Sequence, residues 1–242
     1  MEGMKRPAAA PSKAPYHHGD LRNALVEAAV ELVATRGPDA FSLREAARAV
    51  GVSPAAAYRH FDDKATLLLA VALDGIARLS AWMERAIARL PGPPGTAAHA
   101  AAAFVAVGDA YVEFAVRHPA HFRVMFGPWC DHPKAGERPD SIAPGDRDAY
   151  QILVEGLDEL VRTGAVPASA RMGGEVVAWS AVHGLATLLV EGTIPFGPPE
   201  RRQATLLVCR SVLIGLGCGP DLAAAAAPLK ADPAALVPKR KA

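Results

Sequence analysis

The sequence predicts an all-α fold, and three observations carry that expectation. Alanine is abundant while aromatic residues make up only 6% of the 242 residues, and alanine is the best helix former. Between its Gly/Pro punctuators the chain places apolar residues at helical spacing, and no segment shows the strict alternation of a half-buried strand. Hydrophobic residues are 51% and charged residues 21%, a globular composition able to bury a sizeable core.

The elements follow in order. Residues 1–15 hold three Pro and three Lys or Arg and are expected to be a flexible basic arm. From Asp20 to Arg36, Leu21, Leu25, Ala28, Ala29, Leu32 and Val33 form one apolar stripe, with Asp20 as cap and Gly37 as stop. Ser42 and Glu45 make a capping box for a short helix, Leu43 to Val50, that ends at Gly51. Ser53 caps another, with Pro54 in its first turn, running to about His60. Asp62 and Asp63 open a long helix that ends at Pro91 and carries Leu67, Leu68, Val71, Gly75, Ile76, Leu79, Met83 and Ile87 on one face. Further helices are expected over Ala97–His118, Ala120–Phe126, Arg147–Thr163, Gly174–Glu191 and Glu200–Leu216, with a long loop from Gly127 to Asp146. The chain thus divides into an arm (1–15), a three-helix domain (16–66), a helical bundle (67–217) and an Ala/Pro-rich disordered tail (218–242).

Composition narrows the function. Net charge is +1, and nine basic against eight acidic residues up to Lys64 give the same balance, so any cationic surface must come from placement. Cys130, Cys209 and Cys218 are scattered without a CxxC, which suits a reducing cytoplasm better than a disulfide framework. The first fifteen residues lack the apolar core of a signal peptide. No membrane span is expected; the nearest run, Val176 to Val190, is broken by Ser180, His183, Gly184 and Thr187.

Two short helices joined at Gly51-Val52 are a helix-turn-helix, in which the second helix enters the major groove of double-stranded DNA. A helix lying in a groove must be slim, and Ala55, Ala56 and Ala57 make it so. Tyr58, His60 and Lys64 are placed for phosphates. Arg44 and Arg59 are long enough to reach guanine edges, while Ser42, Ser53, Pro54 and the Ala55 and Ala56 methyls complete the contact set. By pattern alone a capped, Ala-rich bundle without DNA activity fits as well.

The stretch from Leu21 to Val71 resembles the N-terminal domain of the TetR family of transcriptional regulators. Its most specific part is Ala46-Ala47, Gly51-Val52-Ser53, Tyr58, His60-Phe61 and Lys64. The resemblance implies a homodimer with one helix-turn-helix per subunit, with the tyrosine, histidine and lysine near phosphates. It also implies a core role for Phe61. Many members have Gly-Thr-Leu or similar before the tyrosine; here Ala55-Ala56-Ala57 stands there, so discrimination shifts towards Arg44, Arg59 and the arm. PYHHGDLR, Pro15 to Arg22, resembles the start of one branch of the family. There His17 and His18, beside Lys13, are candidates for a phosphate or the minor groove.

In the second half, WSAVHGLATLLVEG resembles the Trp-His-Gly region of a C-terminal domain found in part of the same family. Ser180, His183, Thr187 and Glu191 form one polar line on an otherwise apolar helix. His183 is either a core histidine with satisfied nitrogens or the polar anchor of a small-molecule effector pocket. Phe104, Tyr111, Phe114, Met125, Phe126, Trp129, Trp179 and Thr187 are the expected lining. The family implies a four-helix dimer bundle from the last two helices of each subunit. His118, His121 and His132 are the candidate metal ligands, but Pro119 interrupts the helical HxxH and no companion zinc spacing exists, so no metal or other cofactor is expected. No GxSxG, P-loop or HExxH is present, and no enzyme is expected. The alternative kept open is an all-α metal- or small-molecule-binding protein without DNA activity.

Overall fold

The computed structural model of the protein describes residues 21–129 and 147–229. The arm, with Lys13, His17, His18 and Asp20, lies outside the described residues, as do most of the Gly127–Asp146 loop, with Cys130 and His132, and the end of the tail. Among the described residues there are ten α-helices and no strand.

Helix α1 (Leu21–Arg36) buries Leu21, Leu25, Ala29 and Val33 and stops at Gly37, whose φ of 82° is left-handed. Helix α2 (Leu43–Ala49) begins in a complete capping box: the Ser42 hydroxyl accepts from the Glu45 amide, and the Glu45 carboxylate accepts from the Ser42 amide. Gly51, at φ 77°, makes the turn. Helix α3 (Pro54–Ala57) is capped by Ser53 and is shorter than the sequence suggests; Tyr58 to His60 continue as turn. Its anchor is small, with Ala57 at 0% and Phe61 at 3% exposure while their neighbours face out.

Helix α4 (Lys64–Ala88), capped by Asp63, belongs to both units. Its first turns pack on α1, and its length packs on α5 (Ala97–Arg117) and α6 (Pro119–Phe126). One hydrophobic core therefore runs unbroken from Leu25 and Phe61 to Tyr111 and Phe122. A second core joins α5 to α7 (Ala149–Arg162), α9 (Pro198–Gly215) and α10 (Pro220–Ala226). Helix α8 (Gly174–Val190) packs on α5 and α9. Cross-links Arg201–Glu113 at 2.8 Å and Arg202–Asp109 at 3.1 Å tie the start of α9 to α5. Deeper in the same seam, Gly108 lets the Cys209 sulfur approach its backbone.

Two expectations need correction. The tail from residue 218 does not begin as disorder: Cys218 is buried and α10 seats Ala223 and Ala227 at 0% exposure against α5 and α9. Two helices, α4 and α5, are also long and apolar enough to cross a membrane, where the sequence reading found none. Half of each apolar window lies inside the bundle, as in the core helices of a globular domain.

Candidate functional site

The first site is the outer surface of α2 and α3. Arg44 and Arg48 lie one turn apart on α2, both exposed. Ser53, Pro54, Ala55, Tyr58, Arg59 and His60 are exposed as well, and Ala56 is half-buried. Tyr58, an aromatic with 46% of its surface in solvent, has no packing role that would explain it. Among the described residues Arg44, Arg48 and Arg59 make no ion pair, whereas Arg36, at the end of α1, holds Glu45 at 3.0 Å. The capping-box hydrogen bonds from Ser42, and after them the Arg36 pairing, hold the Glu45 carboxyl below its usual range. Three guanidiniums without an ion pair among the described residues therefore stand on a surface where Glu45 is already charge-paired. Arg48 was missed in the sequence; its i+4 relation to Arg44 was the available signal.

Lys64 is less free than expected. Its amine donates to the Asp39 carbonyl at 3.0 Å and lies 5.0 Å from the Phe41 ring centroid. It braces the connection between α1 and α2.

The second site is a knot of rings between α5, α6 and α8. The Trp179 indole donates to the Tyr111 hydroxyl oxygen at 3.3 Å, and Tyr111 Oη lies 2.8 Å from His183 Nδ1. An indole N–H can only donate. The Tyr111 proton has no other acceptor among the described residues, so it goes to Nδ1. His183 is thereby fixed as the Nε2–H tautomer. Burial lowers the His183 pKa, keeping the ring neutral, and pushes the Tyr111 hydroxyl up. Phe122 and Phe126 close on His183 with ring centroids at 5.3 and 4.7 Å.

His183, Thr187 and Phe126, with Phe122, Arg123 and Glu191, line a cleft of about 550 Å³. Its opposite wall is the end of α1 and the turn after it: Val33, Ala34, Gly37 and Pro38. Trp129 closes one end; its ring covers Gly127 and its Nε1 donates to the Asp39 carboxylate at 2.7 Å. Arg123 pairs with Glu191 at 3.0 Å and donates to the Val190 carbonyl at 3.2 Å.

The expected lining is thus only partly brought together. Tyr111, Phe126, Trp129, Trp179, His183 and Thr187 gather at or behind the cleft. Phe104 instead lines a separate hollow of about 280 Å³ with Ile87, Val107 and Ile152. Phe114 is fully buried against Trp82 and His118. Met125 is buried on the far face of α6, with Sδ 2.6 Å from where a Cβ on Gly75 would lie. Phe122 was missed, although its i,i+4 relation to Phe126 was readable. His118 and His121 pack edge to face 5.9 Å apart, and His121 Nε2 is 2.9 Å from Asp74 Oδ2. Among the described residues no three His, Cys, Asp or Glu side chains converge. Cys209 is buried and free, its thiol pushed up to about 12 by burial.

This geometry defines a class: a helix-turn-helix unit fused through one long helix to a helical domain with an internal polar-aromatic site. The family model described as bacterial regulatory proteins, tetR family, matches residues 25–71. The model described as tetracyclin repressor-like, C-terminal domain, matches residues 104–211. The chain belongs to the TetR family of DNA-binding transcription regulators. Among solved structures, a protein of unknown function from Rhodococcus sp. RHA1 is 29% identical, with a TM-score of 0.62 over 85% of this chain and 99% of that one. A tetR-family regulatory protein, also from Rhodococcus RHA1, is 18% identical, with a TM-score of 0.57 over 82% and 97% of the two chains. A TetR-family regulator from Marinobacter aquaeolei VT8 is 18% identical at 0.55, over 79% and 94%. At such identities the last two share the fold alone. Comparison with curated proteins gives no match.

Proposed function

We propose that the protein is a ligand-responsive repressor that binds a pseudo-palindromic operator as a homodimer and works in the cytoplasm without enzymatic activity. The single observation that carries the DNA reading is the α2–α3 surface. It is slim and exposed, and its Arg44, Arg48 and Arg59 have no partner among the described residues.

An outward apolar face supports the dimer. Val176, Val177 and Leu188 of α8 and Ile214 of α9 are 40–68% exposed, a patch of the kind that marks an interaction surface. Gly184 lies between them with nothing within 4 Å of its Cβ position, so a second backbone can come close. Self-pairing of this face gives a two-fold axis, which matches half-sites roughly 34–36 Å apart or somewhat more. A ligand releases the operator if it binds the DNA-competent and incompetent spacings unequally. The route is α4, which begins at Lys64 beside the reading surface and ends in the bundle.

Genomic fragments passed over the immobilised full-length protein test the reading. One well-defined site is expected to be retained, and Arg44→Ala and Arg59→Ala are each expected to weaken it by about 1–3 kcal/mol in a gel-shift titration. Retention of no specific site, or affinity unchanged in both variants, overturns it.

A further inference from the structure

We infer that the effector site is the cleft between the DNA-binding unit and the bundle, and that it takes an uncharged, flat, mostly apolar molecule with one accepting oxygen, held by His183 Nε2–H. The inference deepens the regulator reading, and rests on it only for calling the occupant an effector.

The donor is set by the relay behind it. Trp179 donates to Tyr111 and Tyr111 to His183 Nδ1, at 3.3 and 2.8 Å, so the free nitrogen carries a proton. Nε2 has no partner among the described residues, and His183 lines the cleft. Burial lowers the His183 pKa, so this donor is neutral. Among the described residues lining the cleft the cation is Arg123, and its charge is paired with Glu191 at 3.0 Å while it also donates to the Val190 carbonyl at 3.2 Å. The rings of Phe122, Phe126 and Trp129 supply flat apolar walls, and about 550 Å³ suits a fused-ring molecule.

The position gives the site a means of control. Ala34 and Pro38 form the wall contributed by the DNA-binding unit, so an occupant touches both units at once. The same seam is held by Trp129, whose Nε1 donates to the Asp39 carboxylate. A molecule wedged there favours one gap between head and body, which is the unequal binding that release requires.

The test uses Prodan, a neutral naphthyl ketone whose emission reports hydrogen bonding at its carbonyl. It is titrated into the full-length protein beside propylnaphthalene, which lacks an acceptor, and naphthoate, which is charged. Prodan is expected to saturate and to bind more tightly than either. His183→Phe is expected to weaken Prodan about five- to tenfold, the worth of one hydrogen bond, and to leave propylnaphthalene unchanged. Ala34→Trp, at an exposed position of α1, fills the cleft from the head side and is expected to abolish both. Absence of saturable Prodan binding, naphthoate binding as tightly, equal Prodan affinity in His183→Phe, or binding that survives Ala34→Trp overturns the inference. Operator retention is measured on the same samples. Retention without the expected Prodan pattern sinks the cleft and leaves the regulator; the expected pattern without retention does the reverse.

Discussion

Tyr111→Phe isolates the relay at the centre of the cleft. The variant keeps the ring, and with it the edge contact to Phe122 at 6.1 Å and the tilted contact to Phe126 at 6.3 Å. Only the hydroxyl is lost. Two hydrogen bonds go with it, each worth about 0.5–1.5 kcal/mol net. Two polar groups then lose their partner, the Trp179 N–H and His183 Nδ1. A fully buried orphan costs about 1–3 kcal/mol, but both side chains are half-buried and reach water, so little of that penalty applies. The expected loss is therefore about 1–3 kcal/mol. Urea unfolding at a fixed protein concentration reads it, because a dimer's stability depends on concentration. Nitrogen-15 NMR of the His183 ring reads the tautomer, which is expected to change from pure Nε2–H to a mixture. A stability change under about 0.5 kcal/mol with the tautomer intact would refute the relay.

Gly108→Ala is expected to destabilise by up to about 2 kcal/mol. The new methyl meets the Cys209 sulfur at 2.5 Å, and overpacking of about 1–3 kcal/mol outweighs the helix-propensity gain of about 1. Combined with Cys209→Ala the penalty is expected to vanish, since the methyl takes the sulfur's place; additive losses in a double-mutant cycle would contradict this packing. Burial works to raise the Asp74 pKa, but hydrogen bonds from His121 and Arg78 outweigh it and hold the carboxyl below its usual value. Its contribution is thus full above the unfolded value of about 3.9 and lost as pH falls below it. The urea midpoints of wild type and Asp74→Asn should accordingly converge below about pH 4, and a gap that persists there would count against the pairing. Leu188→Arg places a charge on the outward face of α8 and is expected to yield a folded monomer by light scattering; an unchanged dimer would place the interface elsewhere.

Local structure was legible where local chemistry decides it. Ser42 with Glu45, Ser53 with Pro54, and Gly37 and Gly51 act within three or four residues of themselves, and the helices they bound were readable. Helix α10 was not, because its alanines carry no stripe; Ala223 and Ala227 are held by distant α5 and α9. The relay was half legible. His183 stood out as polar on an apolar helix, but Tyr111 lies 72 residues away and nothing local links the two. The head-side wall of the cleft was invisible for the same reason: Asp39 and Trp129 meet across 90 residues. Phe104 lies two turns from Tyr111 on the same helix, roughly 10 Å along the axis, which is enough to open it onto a different hollow.

Helix α3 divides its labour cleanly. Ala57 and Phe61 hold it to the protein, while Ala55 faces solvent with only a methyl and Ala56 is half-buried. A single codon change at Ala55 would alter the exposed surface of the helix without touching the core, whereas Ala56 packs against it. If the segment contacts DNA as proposed, a lineage carrying it can drift to new operators by small steps at Ala55.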